Sequence, residues 1–315
     1  MTVSRVVNNK GEISTTTRQR VQEVIDRLGY RPSHIARSLA TDRTATIGLV
    51  VPDNANPFFS EIARGVEHLA HEQGYNVFLC NTDEDAQREI AVLRSLEEKR
   101  VDGVILCSSR LDADDLHLVL AHHEAVVLIN RRLEDAAVGM VLVDDASGAY
   151  LATQHLLARG HRAIGFLAGP RQSYSGQQRQ QGYCAALHDA GIAPPPVWIQ
   201  HCPPMVTSGK TATLDLLAAN PELTALVCFN DLTAVGALQA CANLGRRVPD
   251  DLAITGTDDI PLAALVTPPL TTCRVPMYEL GRQAMRGLLA RIGGESIDSN
   301  LVLVRPELVI RASAP

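Results

Sequence analysis

Residues 30–59 read YRPSHIARSLATDRTATIGLVVPDNANPFF, and the organisation of the whole chain follows from how this stretch divides it. Residues 1–45 hold 8 Lys+Arg against 4 Asp+Glu. The rest of the chain's 29 basic and 35 acidic residues leave the remainder acidic, at 21 against 31. A small basic head on a large acidic body suits a protein whose head meets a polyanion and whose body does not. Within the stretch, Pro32 stops any preceding helix and Ser33 is a good N-cap for a new one. Ser33–Ala40 then offers about two turns, with Ile35, Ala36 and Leu39 at helical spacing. So short a helix is marginal alone, because nucleation costs more than two turns return. It forms against a partner. Arg31 and Arg37 suit phosphate, and Leu39 is the kind of apolar side chain that wedges between base steps in a minor groove. Taken alone, these residues equally suit an ordinary linker helix.

From Thr46 the pattern changes. TIGLVVP (46–52), YNVFLCNT (75–82), DGVILCS (102–108) and AVVLIN (125–130) read as buried strands. Between them FFSEIARGVEHLAHEQG, DAQREIAVLRSLEEKR and DADDLHLVLAHH read as helices. This is the β-α repetition of a parallel sheet covered on both faces. A second set follows Gly148, from AYLATQHLLARG through AIGFLAG, LTALVCFN and LAITGTDD (252–259). Two α/β halves in tandem predict a bilobed body with a cleft.

The composition narrows the class. The chain has 315 residues, 46% of them hydrophobic, and no apolar run approaches the roughly 20 residues a membrane span needs. No signal peptide opens it. Seven cysteines form no CxxC pair, which fits a reducing compartment and places the chain in the cytoplasm. There is no GxSxG elbow and no HExxH, so no enzyme is expected, and no cofactor. Gly209-Lys210-Thr211 is similar to the end of a phosphate-binding loop, but that pattern's first Gly falls on Pro204. His68 and His71, and the adjacent His122 and His123, lack a third ligand for zinc.

RPSHIARSL followed by TIGLVVPDNANPFF, with TVSRVVNN (2–9), GYNVFLCNTDED, RVDGVIL, HLLARGHRAIGFLAGP, FNDLTAVGALQA and GTDDIPLA…PPLTT, resembles the lactose-repressor (LacI/GalR) family of bacterial transcription regulators. The resemblance covers essentially the whole chain. It implies a partial helix-turn-helix head over 1–31, a hinge over 32–45 and a periplasmic-binding-protein-like body over 46–315. The body's first lobe is expected at about 46–145 plus 275–297, and its second at about 146–274 plus 298–315. The tail LVLVRPELVIRAS therefore falls in the second lobe. Thr2, Val3, Ser4, Arg5 and Asn8 stand on what resembles the recognition helix, suited to base-edge or phosphate contacts. Arg31, Ser33, Ile35, Ala36, Arg37 and Leu39 make up the DNA-facing hinge. A further helix, capped by Ser14 or Thr15, carries Val21, Val24, Ile25 and Leu28 on one face. The departure from the family lies upstream: the helix and turn expected before Thr2 are not in this sequence, so either the true start lies further upstream or the head lacks its first helix.

In open α/β sheets ligands bind beyond the carboxyl ends of the strands. Asp53, Asn56, Phe58 and Phe59 follow the first strand directly. A polar loop with two aromatics suits a sugar, although the same residues also suit a helix start with core phenylalanines. Asn130 ends the fourth strand, Ser173, Ser175 and Arg179 lie at a later helix start, and Asn230 and Asp258 end two more strands. Each alone also reads as a cap or a loop residue. Arg179, Asn230 and Asp258 match the family's effector-binding Arg, Asn and Asp. Guanidinium and carboxylate groups each engage two vicinal hydroxyls. The resemblance implies a repressor, homodimeric on a palindromic operator, whose cleft binds a small effector that controls hinge folding. The effector class expected is ribose, another monosaccharide or a sugar acid; relatives also bind purines, but Ser173 stands where some purine binders place an Arg. The alternative is a solute-binding protein of the same fold, against which RPSHIARSL speaks.

Overall fold

The computed structural model describes residues 6, 11, 13–28, 43–134, 137–295 and 301–315. The expected DNA-facing residues Thr2, Val3, Ser4, Arg5 and Asn8, and the hinge with Arg31, Ser33, Ile35, Ala36, Arg37 and Leu39, lie outside them. Helix α1 (Thr15–Leu28) starts where the Ser14 hydroxyl accepts from the Thr17 backbone N–H at 3.3 Å. Val21 and Ile25 are half-buried, whereas Val24 and Leu28 are exposed.

The first lobe begins β1 (Thr46–Val51), α2 (Pro57–Glu72), β2 (Asn76–Asn81), α3 (Ala86–Glu98), β3 (Gly103–Cys107), α4 (Ala113–Leu120), β4 (Val126–Ile129) and β5 (Gly139–Val143). Its helices start where the sequence supplies caps, at Asn56, Asp85 and Asp112, each accepting from backbone N–H groups of the first turn. The chain then crosses into the second lobe as α5 (Asp145–Ala158), β6 (Ile164–Ala168), α6 (Tyr174–Asp189), β7 (Ile199–His201), α7 (Val206–Ala219), β8 (Ala225–Cys228), α8 (Asp231–Leu244), β9 (Ala253–Asp258), α9 (Pro261–Leu265) and β10 (Thr271–Arg274). It returns to the first lobe with α10 (Met277–Ile292) and β11 (Leu301–Val304), and ends in the second with β12 (Glu307–Val309).

The first sheet has the order β11-β5-β4-β3-β1-β2 with every pairing parallel; the second runs β12-β10-β9-β8-β6-β7, with only β12 antiparallel to its neighbour. Layers of helices cover both faces. Ile47, Leu49 and Val51 face α2 and α10, while Val50, Val104 and Leu106 face the layer holding Leu93 and Leu116. In the second lobe Phe166 stacks on Tyr183 of α6 at 5.0 Å between centroids, and the opposite face buries Leu167, Leu226 and Ile254. Each fully buried Leu, Ile or Phe contributes about 1.5–3 kcal/mol. All seven cysteines are free thiols. No helix among the described residues is long and apolar enough to cross a membrane.

Two expectations need correction. The tail does not lie wholly in the second lobe: LVLV pairs parallel with β5, Leu301 beside Met140 and Val304 beside Val143. β5 ends a sheet with an open ladder edge that LVLV completes, and Pro306, lacking an N–H, follows where the chain leaves the first lobe. Nor is β2 a buried strand. Among the described residues it pairs only with β1, and Phe78 and Leu79 are 45% and 48% exposed.

Candidate functional site

The carboxyl ends of both sheets face each other across the gap between the lobes. Several strand ends turn sharply there: Glu84, Ser108, Asn130 and Asp258 have φ values of 60°, 48°, 51° and 116°. Left-handed backbone at a non-glycine residue costs of order 1–3 kcal/mol and tends to cluster where a site needs a side chain aimed in a fixed direction. Here it follows β2, β3 and β4 and ends β9, and turns four polar side chains into one narrow cavity of about 30 Å³.

The cavity gathers nine of the ten sequence-predicted residues. Asn56, Phe58, Phe59 and Asn130 come from the first lobe; Ser173, Ser175, Arg179, Asn230 and Asp258 come from the second. Asp53 is not among them. Its carboxylate accepts from the Ala55 N–H at 2.9 Å and closes the turn before α2. The lining also includes Glu84, Ser108, Arg110, Pro204 and Phe229, which sequence reasoning did not single out. Ser108 follows β3 as directly as Asn130 follows β4, and Glu84 lies three residues beyond β2, so the strand-end rule reaches both. Pro204 and Phe229 carry no signal distinct from ordinary apolar positions.

Asn56, Ser173 and Asn230 are N-caps as well as cavity residues. Their side chains accept from Phe58 N at 3.0 Å, Gly176 N at 3.1 Å and Thr233 N at 2.9 Å. The amino-terminal ends of α2, α6 and α8 therefore meet at the cavity, and the partial positive charge there suits ligand oxygens. Phe58 and Phe59 pack edge to face, 5.2 Å between centroids.

The floor is a buried charge cluster. Arg179 donates from Nε to Asp145 Oδ1 at 2.7 Å, places Nη2 3.6 Å from Asp258 Oδ1 and lies 4.8 Å over the Phe229 ring. Burial alone would lower the Arg179 pKa, but Asp145 and Asp258 outweigh it and the net direction is up. Burial raises the Asp145 carboxyl above its ordinary value even with Arg179 beside it. Asp258 is raised further by burial, despite Arg179, with Asp231 and Asp145 adding to the shift. Asp231, also sealed, is pushed by burial to about 7. Asp145 Oδ2 and the Ser175 hydroxyl are buried without a hydrogen-bond partner.

A second polar cluster lies at the first-lobe rim. Arg110 donates from Nε to Glu84 Oε2 at 2.5 Å and from Nη1 to the Ser108 carbonyl at 2.7 Å. Its backbone N–H meets Glu89 at 3.0 Å, and Ser109 donates its hydroxyl to the same carboxylate. Burial raises the Glu89 pKa. Glu84 Oε1 is buried and unpartnered. Chemically, the site holds hydrogen-bonding groups that span both lobes, aromatic faces and paired charges.

Residues 44–306 match the family described as periplasmic binding proteins and sugar binding domain of LacI family, and residues 1–33 match bacterial regulatory proteins, lacI family. The HTH-type transcriptional repressor PurR of Aliivibrio salmonicida is 36% identical over 313 residues, covering 99% of this chain and 94% of that protein. The ribose operon repressor of Haemophilus influenzae is 38% identical over 314 residues, with the same coverage of 99% and 94%. Among solved structures, the lac repressor dimer bound to operator and the anti-inducer ONPF matches with a TM-score of 0.88 at 27% identity, over 99% of this chain and 94% of that one.

Proposed function

The chain belongs to the lacI family of bacterial regulatory proteins and is a ligand-responsive DNA-binding regulator, and on that footing we propose that it is a cytoplasmic repressor whose effector is a monosaccharide bound in the interlobe cavity. The supporting observation is the convergence, from both lobes, of Arg179 and Asp258 at 3.6 Å with the capped helix ends and the Phe58 and Phe59 rings. A guanidinium and a carboxylate side by side engage vicinal hydroxyls, while aromatic faces take the C–H side of a sugar ring. Nothing in this arrangement calls for a catalytic nucleophile or an activated base, and we assign the chain no enzymatic role.

Residues 1–31 are assigned to the DNA-reading head, 32–45 to the hinge, and the lobes to the effector. The lobes are joined where the chain crosses between β5 and α5, between β10 and α10, and between β11 and β12. A ligand touching both lobes favours one of their relative angles, and in a homodimer that angle sets the separation of the two hinges. Coupling of this kind is reciprocal, so a sugar that weakens operator binding is itself bound less tightly on the operator.

Thermal unfolding with ribose, other monosaccharides, sugar acids and purines tests the effector. A ligand at about 100 times its dissociation constant adds about 2.7 kcal/mol to stability. Stabilisation by a sugar, lost in Asp258→Asn, supports the assignment; stabilisation by a purine alone refutes it. Electrophoretic shifts on operator DNA, with and without that sugar, test the regulator.

A further inference from the structure

The charged groups of the cavity pair among themselves. Arg179 is held by Asp145 and lies beside Asp258; Arg110 is held by Glu84 and by the Ser108 carbonyl. Both guanidinium groups are almost fully buried, with side-chain exposures of 4% and 7%. Neither leaves positive charge unmatched. Counting Asp145 just behind the lining, the cavity carries no excess positive charge whether or not Asp258 holds a proton. Across the mouth, the second lobe offers Pro170, Gln172, His201 and Pro204, with the His201 Nδ1 already placed 2.9 Å from the Gly169 carbonyl. The polar atoms left without partners point the same way. Among them, Glu84 Oε1 is a buried acceptor without a partner.

From this we infer that Glu84 is a specificity-determining residue: it neutralises Arg110 and makes the cavity select uncharged, hydroxyl-rich ligands over sugar acids and sugar phosphates. The inference rests on the sugar-binding reading of the cavity. An anion entering here meets guanidinium groups already committed to carboxylates, and must either displace Glu84 or lie beside it uncompensated. Both are unfavourable in a desolvated site. A neutral hydroxyl instead donates to Glu84 Oε1 and leaves the Arg110 pair intact. Glu84 thus accepts from the ligand with one oxygen and holds Arg110 with the other.

Titration calorimetry on the full chain tests this with matched pairs: glucose and glucuronate, galactose and galacturonate, ribose and ribose 5-phosphate. At least one neutral sugar should bind, and its anionic counterpart should bind at least about 30-fold more weakly. Glu84→Gln, which frees Arg110, should narrow that ratio at least about tenfold, chiefly by strengthening the anion. Glu84→Gln combined with Arg110→Gln should lose the gain. Equal affinity within a pair for the wild-type chain overturns the charge filter while leaving the sugar reading standing. An unchanged ratio in Glu84→Gln, with a native unfolding midpoint, overturns the role of Glu84. If none of the six compounds binds the wild-type chain, the sugar reading fails and the filter fails with it. Should Glu84→Gln not fold, the wild-type ratio still decides the filter.

Discussion

Arg179 Nε lies 2.7 Å from Asp145 Oδ1, joining the first turn of α5 to α6 across 34 residues, with both side chains sealed from solvent. The guanidinium therefore has a structural partner before any ligand arrives. Its remaining face, towards Asp258 and the Phe229 carbonyl, lines the cavity. One side chain thus serves the second lobe's stability and the site together.

The consequence is separable by mutation. Arg179→Ala leaves Asp145 buried and unpaired, which typically costs about 3–5 kcal/mol. It should lower the unfolding midpoint and abolish effector binding together. Replacing both partners by apolar groups, as Arg179→Met with Asp145→Leu, should recover most of the stability and none of the binding. Denaturant unfolding with calorimetry checks this; a double variant as unstable as Arg179→Ala would mean that the pair does not act as a unit.

The crossing of α2 and α10 gives a second prediction. A Cβ on Gly281 would sit 2.2 Å from the Ile62 carbonyl oxygen, and one on Gly65 would sit 2.1 Å from that of Tyr278. Backbone cannot yield as a side-chain tip can. Gly281→Ala should destabilise by about 1–3 kcal/mol, outweighing the roughly 1 kcal/mol that Ala gains over Gly in a helix. Gly287→Ala, on the same helix with nothing nearer than 3.7 Å, should be neutral or stabilising. Equal effects at the two sites would show that helix propensity alone decides.

How much of this was legible depends on what each residue meets. β1, β3 and β4 run apolar without alternation because both their faces are buried, so their strands read directly. β5 did not, because it follows β4 without an intervening helix and breaks the β-α rhythm. The exposure of β2 is set by its place at the sheet edge, which no local pattern carries. Arg179 and Asp258 were readable as polar groups at strand and helix ends. Asp145 was not: in DDASG it reads as a helix start, and its pairing with Arg179 exists only in the tertiary structure. Glu84 shows the same limit, since its match with Arg110 needs the loops after β2 and β3 to meet across the end of β1.

The exposed edge yields the next prediction. Phe78 and Leu79 stand open on β2. If this edge forms part of a homodimer interface, Leu79→Asp removes about 2 kcal/mol of burial, roughly 30-fold in the dimer dissociation constant. The unfolding midpoint of the protomer should change little, because Leu79 is exposed within it. Sedimentation equilibrium decides: an unaltered dimer would place the interface elsewhere.

Asp231 carries the last prediction. At the first turn of α8, its Oδ2 accepts from the Ile260 N–H at 2.9 Å and its Oδ1 from the Thr272 hydroxyl at 2.5 Å. Burial pushes its pKa up to about 7, against a roughly 3.9 ordinary value, with the Asp259 charge adding to the shift, and the Asp231 charge in turn raises Asp258. Between those values the folded state binds the proton that the unfolded chain has released, so stability falls as pH rises through the window, and the loss is complete above about 7. Asn at this position keeps the shape and does not titrate. Relative to wild type, Asp231→Asn should therefore gain stability steadily from about pH 4 to pH 7 and level off beyond. Asp145 and Glu89, which burial also raises, remain in both proteins and cancel in the difference, whereas Asp258 does not, so the difference reports the Asp231–Asp258 pair. Urea unfolding of both proteins at pH 4.5, 6 and 8 measures it. A gain that is the same at all three values would show that Asp231 is ionised throughout, held by its two hydrogen-bond donors.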